Sequence, residues 1–450
     1  MFDLNTDSYT GNYDEAVSYL ETIPRFNASA GFAGASAFYA YLTQKGLLPD
    51  HGCKVFHIAG TNGKGSVCAF LKSIHMQMGR SVGVFTSPHL TDIRERITLN
   101  DEVISKEDFL DCFMTVMSCL GEFGKHDPFK DYMPVYFDYL FFIAALYYAK
   151  QCPDAIIWET GLGGRLDATN VIGDKSVTVI TEIGLDHMAI LGNTKEAIAA
   201  EKAGIIRKGV PVITVNRDRE VYDVISSEAK SKGCPLTVVP SVYEIRKKMN
   251  DKGIDFSYKS HYYNNATLEV VGHALYQTEN ASLAVAAMET VYSMEELPFE
   301  YIYEGVRNMY HPGRMEELIP GVIFDGAHNE DGIEAFIDSV KSDNCKGRRL
   351  MIFSSASDKQ AEKELKAITD SGLFAGVYIV SMDTDRSRTV NQLKALTSIV
   401  TAGGITSEYK QDIKQAYDYC KALIEQTDRL YVCGSLYLYE ELKAYINSVE

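Results

Sequence analysis

The sequence predicts an α/β protein: a doubly wound, mostly parallel sheet domain followed by a smaller C-terminal Rossmann-like α/β domain. Three observations carry that expectation. Between Lys54 and Val215, short β-branched runs alternate with stretches of helical period. The breaker His311-Pro312-Gly313 then interrupts the chain, and beyond it strand–helix alternation starts afresh. At 450 residues the chain exceeds one ordinary compact domain, so the division is expected at that breaker, into residues 1–311 and 312–450.

In chain order, the first domain should contain strands Val55–Ala59, Ser81–Thr86, Ala155–Glu159 and Val177–Thr181, with helices following Gly63, Ser105, Met133 and Asn193. The most apolar stretch, Val135 to Ala149, is interrupted by Asp138. It is also shorter than the roughly 20 residues of a bilayer-spanning helix, so it reads as a buried helix. From Pro235 to Val271 the pattern turns polar and irregular, with turn signals at Asp251-Lys252-Gly253 and Asn264-Asn265; short antiparallel strands are expected there. A helix over Thr278–Tyr292 and another ending near Tyr310 lead to strands Val322–Asp325, Leu350–Phe353, Gly376–Val380 and Arg429–Cys433. No internal repeat or low-complexity tract is evident.

Composition narrows the function classes. Apolar residues at 46% and charged residues at 23% describe a globular chain rather than a disordered one. The formal charge of −17 argues against broad binding to nucleic acid or anionic membranes, whose phosphates require a basic surface. An anionic substrate would need a local cluster of positive groups. The 9 cysteines are odd in number, scattered and never in C-x-x-C pairs, as expected of reduced thiols in a cytoplasmic protein. The start, Met1-Phe2-Asp3-Leu4-Asn5, has neither the basic nor the apolar region of a signal peptide, so export is not expected.

The strongest local signal is Gly60-Thr61-Asn62-Gly63-Lys64-Gly65-Ser66, between a predicted strand and a predicted helix. Glycines let the backbone wrap phosphates, the helix N-terminus supplies positive potential and Lys64 adds a point charge, which makes this a P-loop domain. The bland alternative is a Gly-rich strand–helix turn. Thr86-Ser87-Pro88-His89 ends the second strand, at the sheet edge where open α/β folds bind ligands. Ser87 could there reach a phosphate-bound Mg²⁺, or the segment could be only a turn. Arg94 and Arg96 offer the local cationic cluster, with solvated surface arginine the alternative for at least one. Glu159 ends a buried strand, where a carboxylate is costly unless paired or metal-bound, so it is a candidate Mg²⁺ ligand or a cap for loop amides. Thr181-Glu182-Ile183-Gly184-Leu185-Asp186-His187 ends the next strand with acidic and imidazole groups on the same sheet edge, His187 being a candidate ligand or a structural histidine, and Lys202 lies on the helix after it, where periodicity alone favours an ordinary surface ammonium.

The ordered set G-T-N-G-K-G-S, T-S-P-H-L, E-R-I, E-x-G-L-G-G-R-L-D-A-T-N, L-D-H and E-K-A-G-I closely resembles the folylpolyglutamate synthase/dihydrofolate synthase family of Mur-ligase-like enzymes. The resemblance continues through Gln277-Thr278-Glu279-Asn280-Ala281, Pro312-Gly313-Arg314, Phe324-Asp325-Gly326-Ala327-His328-Asn329, Asp358-Lys359 and Gly434-Ser435-Leu436. It implies an ATP-dependent ligase that adds L-glutamate to reduced folates through an acyl phosphate. ATP and Mg²⁺ would be its cofactors and small molecules its partners, with no nucleic acid or membrane, in a cytoplasmic monomer.

Residue by residue, the resemblance implies that Gly60 to Ser66 cradle the ATP phosphates, that Ser87, Glu159 and His187 bind Mg²⁺, and that Lys202 is carbamylated by CO₂. Lys64, Glu159, His187 and Lys202 form its catalytic set. Asn280 matches a residue near the adenine, and Arg314, Asp325 and His328 match groups that close over the nucleotide; a strand-ending polar turn is the alternative for Asp325 to Asn329. Phe32, Arg96, Leu166, Asp167 and Ala168 are the substrate candidates. The chain departs from the family pattern at Tyr276, where family members often have His, at Val135-Tyr136-Phe137-Asp138, and at Gly31 to Ala35. Leu166-Asp167-Ala168 favours dihydrofolate synthesis and the latter two departures oppose it, so polyglutamylation is the firmer expectation. Two other readings compete: a Mur ligase for UDP-sugar peptides, which would need more than the ~50 residues preceding the loop, and a nucleotide-binding regulator without catalysis.

Overall fold

The computed structural model describes residues 11–25, 31–50, 52–125, 132–215, 217–250, 252–263, 265–357, 359–384 and 387–449. The expected features at Met1 to Asn5, Asp251, Asn264 and Asp358 lie outside them. The chain divides into two compact units: residues 1–183, 189–239 and 283–305, and residues 184–188, 240–282 and 306–450. The second unit thus takes in chain well before the breaker at residue 312.

In the first unit an eight-stranded sheet has the order Glu102–Val103, Ile97–Leu99, Val82–Phe85, Ala155–Glu159, Lys54–Ala59, Val177–Ile180, Val212–Val215 and Leu236–Val239. Its last six strands run parallel and the first two add an antiparallel edge. The parallel strands inside the sheet are buried on both faces, which explains why they read as continuous apolar runs. Helix Lys106–Phe123 starts where the Ser105 hydroxyl accepts the Asp108 amide N–H at 2.9 Å. Helix Tyr136–Gln151 buries every residue from Tyr139 to Tyr148, as a helix apolar all round must. It meets the sheet through Phe141 against Trp158 and Tyr148 against Trp158, edge to face at 5.2 and 5.5 Å.

Where antiparallel strands were expected after Pro235, the first, Leu236–Val239, instead joins the parallel sheet beside Val212–Val215. Three later strands, Lys247–Met249, Gly253–Tyr258 and Ala266–Val271, form the antiparallel set. The remainder of the second unit is a six-stranded sheet in the order Glu316–Ile319, Val322–Phe324, Arg429–Cys433, Arg349–Phe353, Gly376–Val380 and Thr406–Lys410. Only the first pair is antiparallel. The four predicted strands are its buried centre. The two edge strands were not predicted, because an edge needs no apolar run: Thr406–Lys410 has no buried residue.

Helix Ala361–Asp370 packs Leu365 and Ile368 into this unit's core. The same face carries Glu364, 1% exposed, one of whose oxygens finds no hydrogen-bond partner among the described residues. Burial is the main cause that pushes its carboxyl up to about 7. The folded state therefore holds this proton more tightly than the unfolded chain does. The resulting penalty is absent below the ordinary value of 4.5 and grows as pH rises toward about 7. Glu364→Gln should accordingly raise the Tm at pH 8 by roughly 3 °C or more and change it little at pH 4, as thermal scans at both pH values will read.

Candidate active site

Strand Lys54–Ala59 lies at the centre of the large sheet, between Ala155–Glu159 and Val177–Ile180. Because all three run parallel, the segments that follow them emerge along one sheet edge, at the point where an open α/β sheet binds its ligand. Gly60 comes first. A Cβ there would sit 1.7 Å from the Thr181 hydroxyl oxygen, so only glycine fits beside the neighbouring strand. The Thr61 and Asn62 amides both donate to the Glu182 carbonyl, at 2.8 and 3.3 Å. The Asn62 side chain donates to the Glu182 carboxylate at 2.8 Å, and the Thr181 hydroxyl donates to the Asn62 carbonyl at 2.6 Å.

These bonds split the loop into two functional halves. Thr61 and Asn62, expected to cradle phosphate, spend their amides on Glu182. Helix Lys64–Gln77 begins after Gly63, which has φ 89°. The amides of Lys64, Gly65 and Ser66 form its first turn, where N–H groups lack intrahelical acceptors and the helix dipole is positive. The amides that remain available to a phosphate are therefore those of the second half of the motif.

Around that helix start stand the charged groups. The Lys64 ammonium lies 4.0 Å from Glu159 Oε1 and donates to the Thr61 carbonyl at 3.2 Å. Glu159 is buried, and its Oε2 accepts the Ser87 amide N–H at 3.0 Å. Ser87 and Glu159, predicted from separate segments, are therefore brought together. Their hydroxyl and carboxylate oxygens are the hard donors that Mg²⁺ takes. Lys202 is not a surface ammonium: it is 5% exposed and donates to the Gly60 carbonyl at 2.7 Å.

The substrate candidates divide. Arg94 is ion-paired with Asp92 at 2.6 Å, as the surface alternative anticipated for one of the pair. Arg96 is buried, donates to His89 Nδ1 at 2.8 Å and lies 5.7 Å from the Tyr136 ring centroid. Burial, then the Arg96 charge, push His89 down to about 4, leaving it neutral and an acceptor. A cavity of about 200 Å³ opens beside them, lined by Tyr13, Val17, His89, Asp92 and Tyr136. Asp167 is occupied by its own chain: it accepts the amides of Gly161, Leu162 and Thr169 and the Thr169 hydroxyl. Ala168 is buried at the start of the turn that follows. Leu166 is left 67% exposed, an apolar side chain with surface to offer, and Phe32 is half-buried on the first turn of helix Gly31–Gln44.

The other predicted residues lie in the second unit. Asn280 is buried and donates to the Gln277 side chain at 2.9 Å. Asp325 accepts from the Tyr276 hydroxyl at 2.5 Å and from the Met315 and Ala327 amides at 2.9 and 2.8 Å. His328 Nδ1 bonds the Gly326 carbonyl at 2.8 Å, and burial pushes the ring down to about 4. His187, with φ 49°, belongs to the short segment 184–188, whose Asp186 pairs with Lys359 at 2.6 Å. The sequence marks Thr181 and Glu182 as part of the strand-ending segment that runs to His187, without their bonds to the loop, and it gives Tyr276 no part in building the site. A strand-ending Thr-Glu beside the Gly-rich loop was the available signal for the first two.

A P-loop doubly wound domain followed by a Rossmann-like one defines the class: this is a Mur-type ATP-dependent ligase, and residues 313–436 match the family described as Mur ligase, glutamate ligase domain. The chain is 30% identical to the Bacillus subtilis dihydrofolate synthase/folylpolyglutamate synthase, over 96% of its own length and 98% of that protein's. It is 31% identical to the enzyme of the same name from Escherichia coli, over 94% and 92%. The chain belongs to the dihydrofolate synthase/folylpolyglutamate synthase family. Its fold agrees: E. coli FolC in complex with DHPP and ADP superposes with a TM-score of 0.82 at 28% identity, covering 98% of each chain.

Gly60→Ala should weaken ADP binding by ~30-fold or more, since relieving the clash with Thr181 must displace the loop. Titration calorimetry, with circular dichroism to confirm the fold, measures this; an affinity within ~2-fold of the parent would contradict the loop assignment.

Proposed function

We propose that the chain joins the amine of L-glutamate to a carboxylate of a reduced folate, with ATP as phosphoryl donor and an acyl phosphate as intermediate. The observation that carries this reading is the cluster of Lys64, Glu159 and Ser87 at the start of helix Lys64–Gln77. The phosphates of ATP bind the Lys64, Gly65 and Ser66 amides. Lys64 neutralises charge as the γ-phosphoryl group meets the substrate carboxylate, two anions that otherwise repel. Ser87 and Glu159 would hold Mg²⁺, and the family resemblance adds His187 as a ligand. That ion, when bound, offsets the charge on the phosphates and the acceptor carboxylate. Asn280, Arg314, Asp325 and His328 are the nucleotide contacts that the family resemblance assigns to the second unit. Phe32, Arg96, Leu166, Asp167 and Ala168 form the folate site, Asp167 by shaping the loop that presents Leu166.

Attack of the glutamate amine on the acyl phosphate gives a tetrahedral intermediate, then amide and phosphate. Water must be excluded until then, because it would hydrolyse the acyl phosphate. The 9 free cysteines support a cytoplasmic enzyme, which we take to be a monomer. Among the described residues no helix is long and apolar enough to cross a membrane.

L-Glutamate with tetrahydrofolate should stimulate Mg²⁺-dependent ADP release, and the same assay with dihydropteroate decides whether dihydrofolate is also formed. Absence of stimulation by every folate and pteroate would refute the reading. Lys202→Ala should lower kcat by ~100-fold or more, and the parent protein in carbon-13 bicarbonate should show a carbamate resonance that the variant lacks. Full activity in the variant would remove Lys202 from the catalytic set.

A further inference from the structure

The turn that carries Arg314 is set in an unusual backbone. Gly313 has φ 70° and Met315 φ 46°, so left-handed residues flank the arginine on both sides, and Met315 has no glycine's freedom to adopt that conformation. Each flank is held by a carboxylate. The Gly313 amide donates to Glu316 Oε2 at 2.7 Å, and the Met315 amide donates to Asp325 Oδ2 at 2.9 Å. Each carboxylate is in turn held by tyrosine hydroxyls: Glu316 accepts from Tyr310 and Tyr439 at 2.9 and 2.7 Å, and Asp325 accepts from Tyr276 at 2.5 Å. Arg314 Nη1 itself donates back to the Gly313 carbonyl at 3.3 Å, which also accepts the Gly326 amide.

The two brackets differ in what they lose if a hydroxyl is removed. Glu316 would keep a second tyrosine and lies 3.5 Å from the Lys443 ammonium. Asp325 is buried, and beside Tyr276 it has only main-chain amides as hydrogen-bond donors in the bonds described above. Its burial disfavours the charged form, which the Arg314 charge and the Tyr276 donor work to keep, so loss of the tyrosine donor would weaken the acceptor that holds Met315 left-handed.

We propose that Tyr276 is a positioning residue for the ligase: through Asp325 and the Met315 amide it fixes the turn that directs Arg314 to the nucleotide. This rests on the assignment of Arg314 to the nucleotide site. It adds to Asp325's place in the nucleotide site the task of shaping the turn, and it assigns a task to Tyr276, a position where the resemblance departs from the family pattern.

The test is a double-mutant cycle on the full-length enzyme, with KM for ATP and for glutamate and kcat measured for each protein and thermal scans to confirm folding. Tyr276→Phe should raise the KM for ATP by ~10-fold while kcat and the KM for glutamate stay within ~3-fold. The Tyr276→Phe/Arg314→Ala double variant should be no worse for ATP than Arg314→Ala alone, because both act through one group. Tyr276→His, which keeps a hydrogen-bond donor, should recover most of the ATP affinity and stands in if the phenylalanine variant does not fold. A parental ATP KM in Tyr276→Phe beside a raised one in Arg314→Ala overturns the proposal, as do effects that multiply in the double variant, or a Tyr276→His enzyme as impaired for ATP as Arg314→Ala. If Arg314→Ala leaves the ATP KM unchanged, it is the assignment of Arg314 to the nucleotide site that fails, and the proposal with it.

Discussion

The Glu182 carbonyl, by accepting two successive amides from Thr61 and Asn62, sets the condition on which the rest of the site depends. Those bonds tie the first half of the Gly-rich loop to the strand beside it, and Gly60 lets the two backbones come close enough to form them. The loop is then free at its other end only, where the first turn of a helix offers unpaired amides and a positive dipole. Lys64 and Glu159 face each other there because strand Lys54–Ala59, which leads into the loop, pairs in register with the strand that Glu159 ends. The position of the charge cluster follows from sheet order, not from any local feature of the motif.

Buried carboxylates recur as the fastening of functional turns. Asp167 gathers the Gly161, Leu162 and Thr169 amides and so shapes the loop that leaves Leu166 exposed. Asp325, together with Glu316, which is only partly buried, does the same for the turn around Arg314. A buried carboxylate costs free energy unless its acceptor sites are filled, and a loop costs free energy unless its amides are. Placing the two together satisfies both and leaves a rigid turn, which an enzyme that must align a phosphoryl donor, a carboxylate and an amine requires.

Much of this was legible in the sequence. The central strands announced themselves as β-branched runs because parallel strands are buried on both faces. The Gly60 to Ser66 loop, Ser87 and Glu159 could be read as one site because strand ends in a doubly wound sheet converge. Edge strands such as Thr406–Lys410 were illegible, since a strand without buried residues leaves no apolar pattern. The burial of Lys202 was hidden for the opposite reason: periodicity on a short helix favours a surface lysine, and only the fold brings its ammonium to the Gly60 carbonyl. Thr181, Glu182 and Tyr276 act through main-chain and carboxylate contacts across 49 to 121 positions of sequence, which no local spacing encodes.

The chemistry at the centre of this site is activation of a carboxylate by phosphoryl transfer, which leaves an isotopic trace. Tetrahydrofolate labelled with oxygen-18 in its glutamyl carboxylates, incubated with the enzyme, MgATP and L-glutamate, should yield inorganic phosphate carrying one labelled oxygen for each amide formed, with ADP unlabelled. Unlabelled phosphate, or label recovered in AMP, would contradict an acyl-phosphate intermediate and with it the assignment of Lys64, Glu159 and Ser87 to phosphoryl transfer.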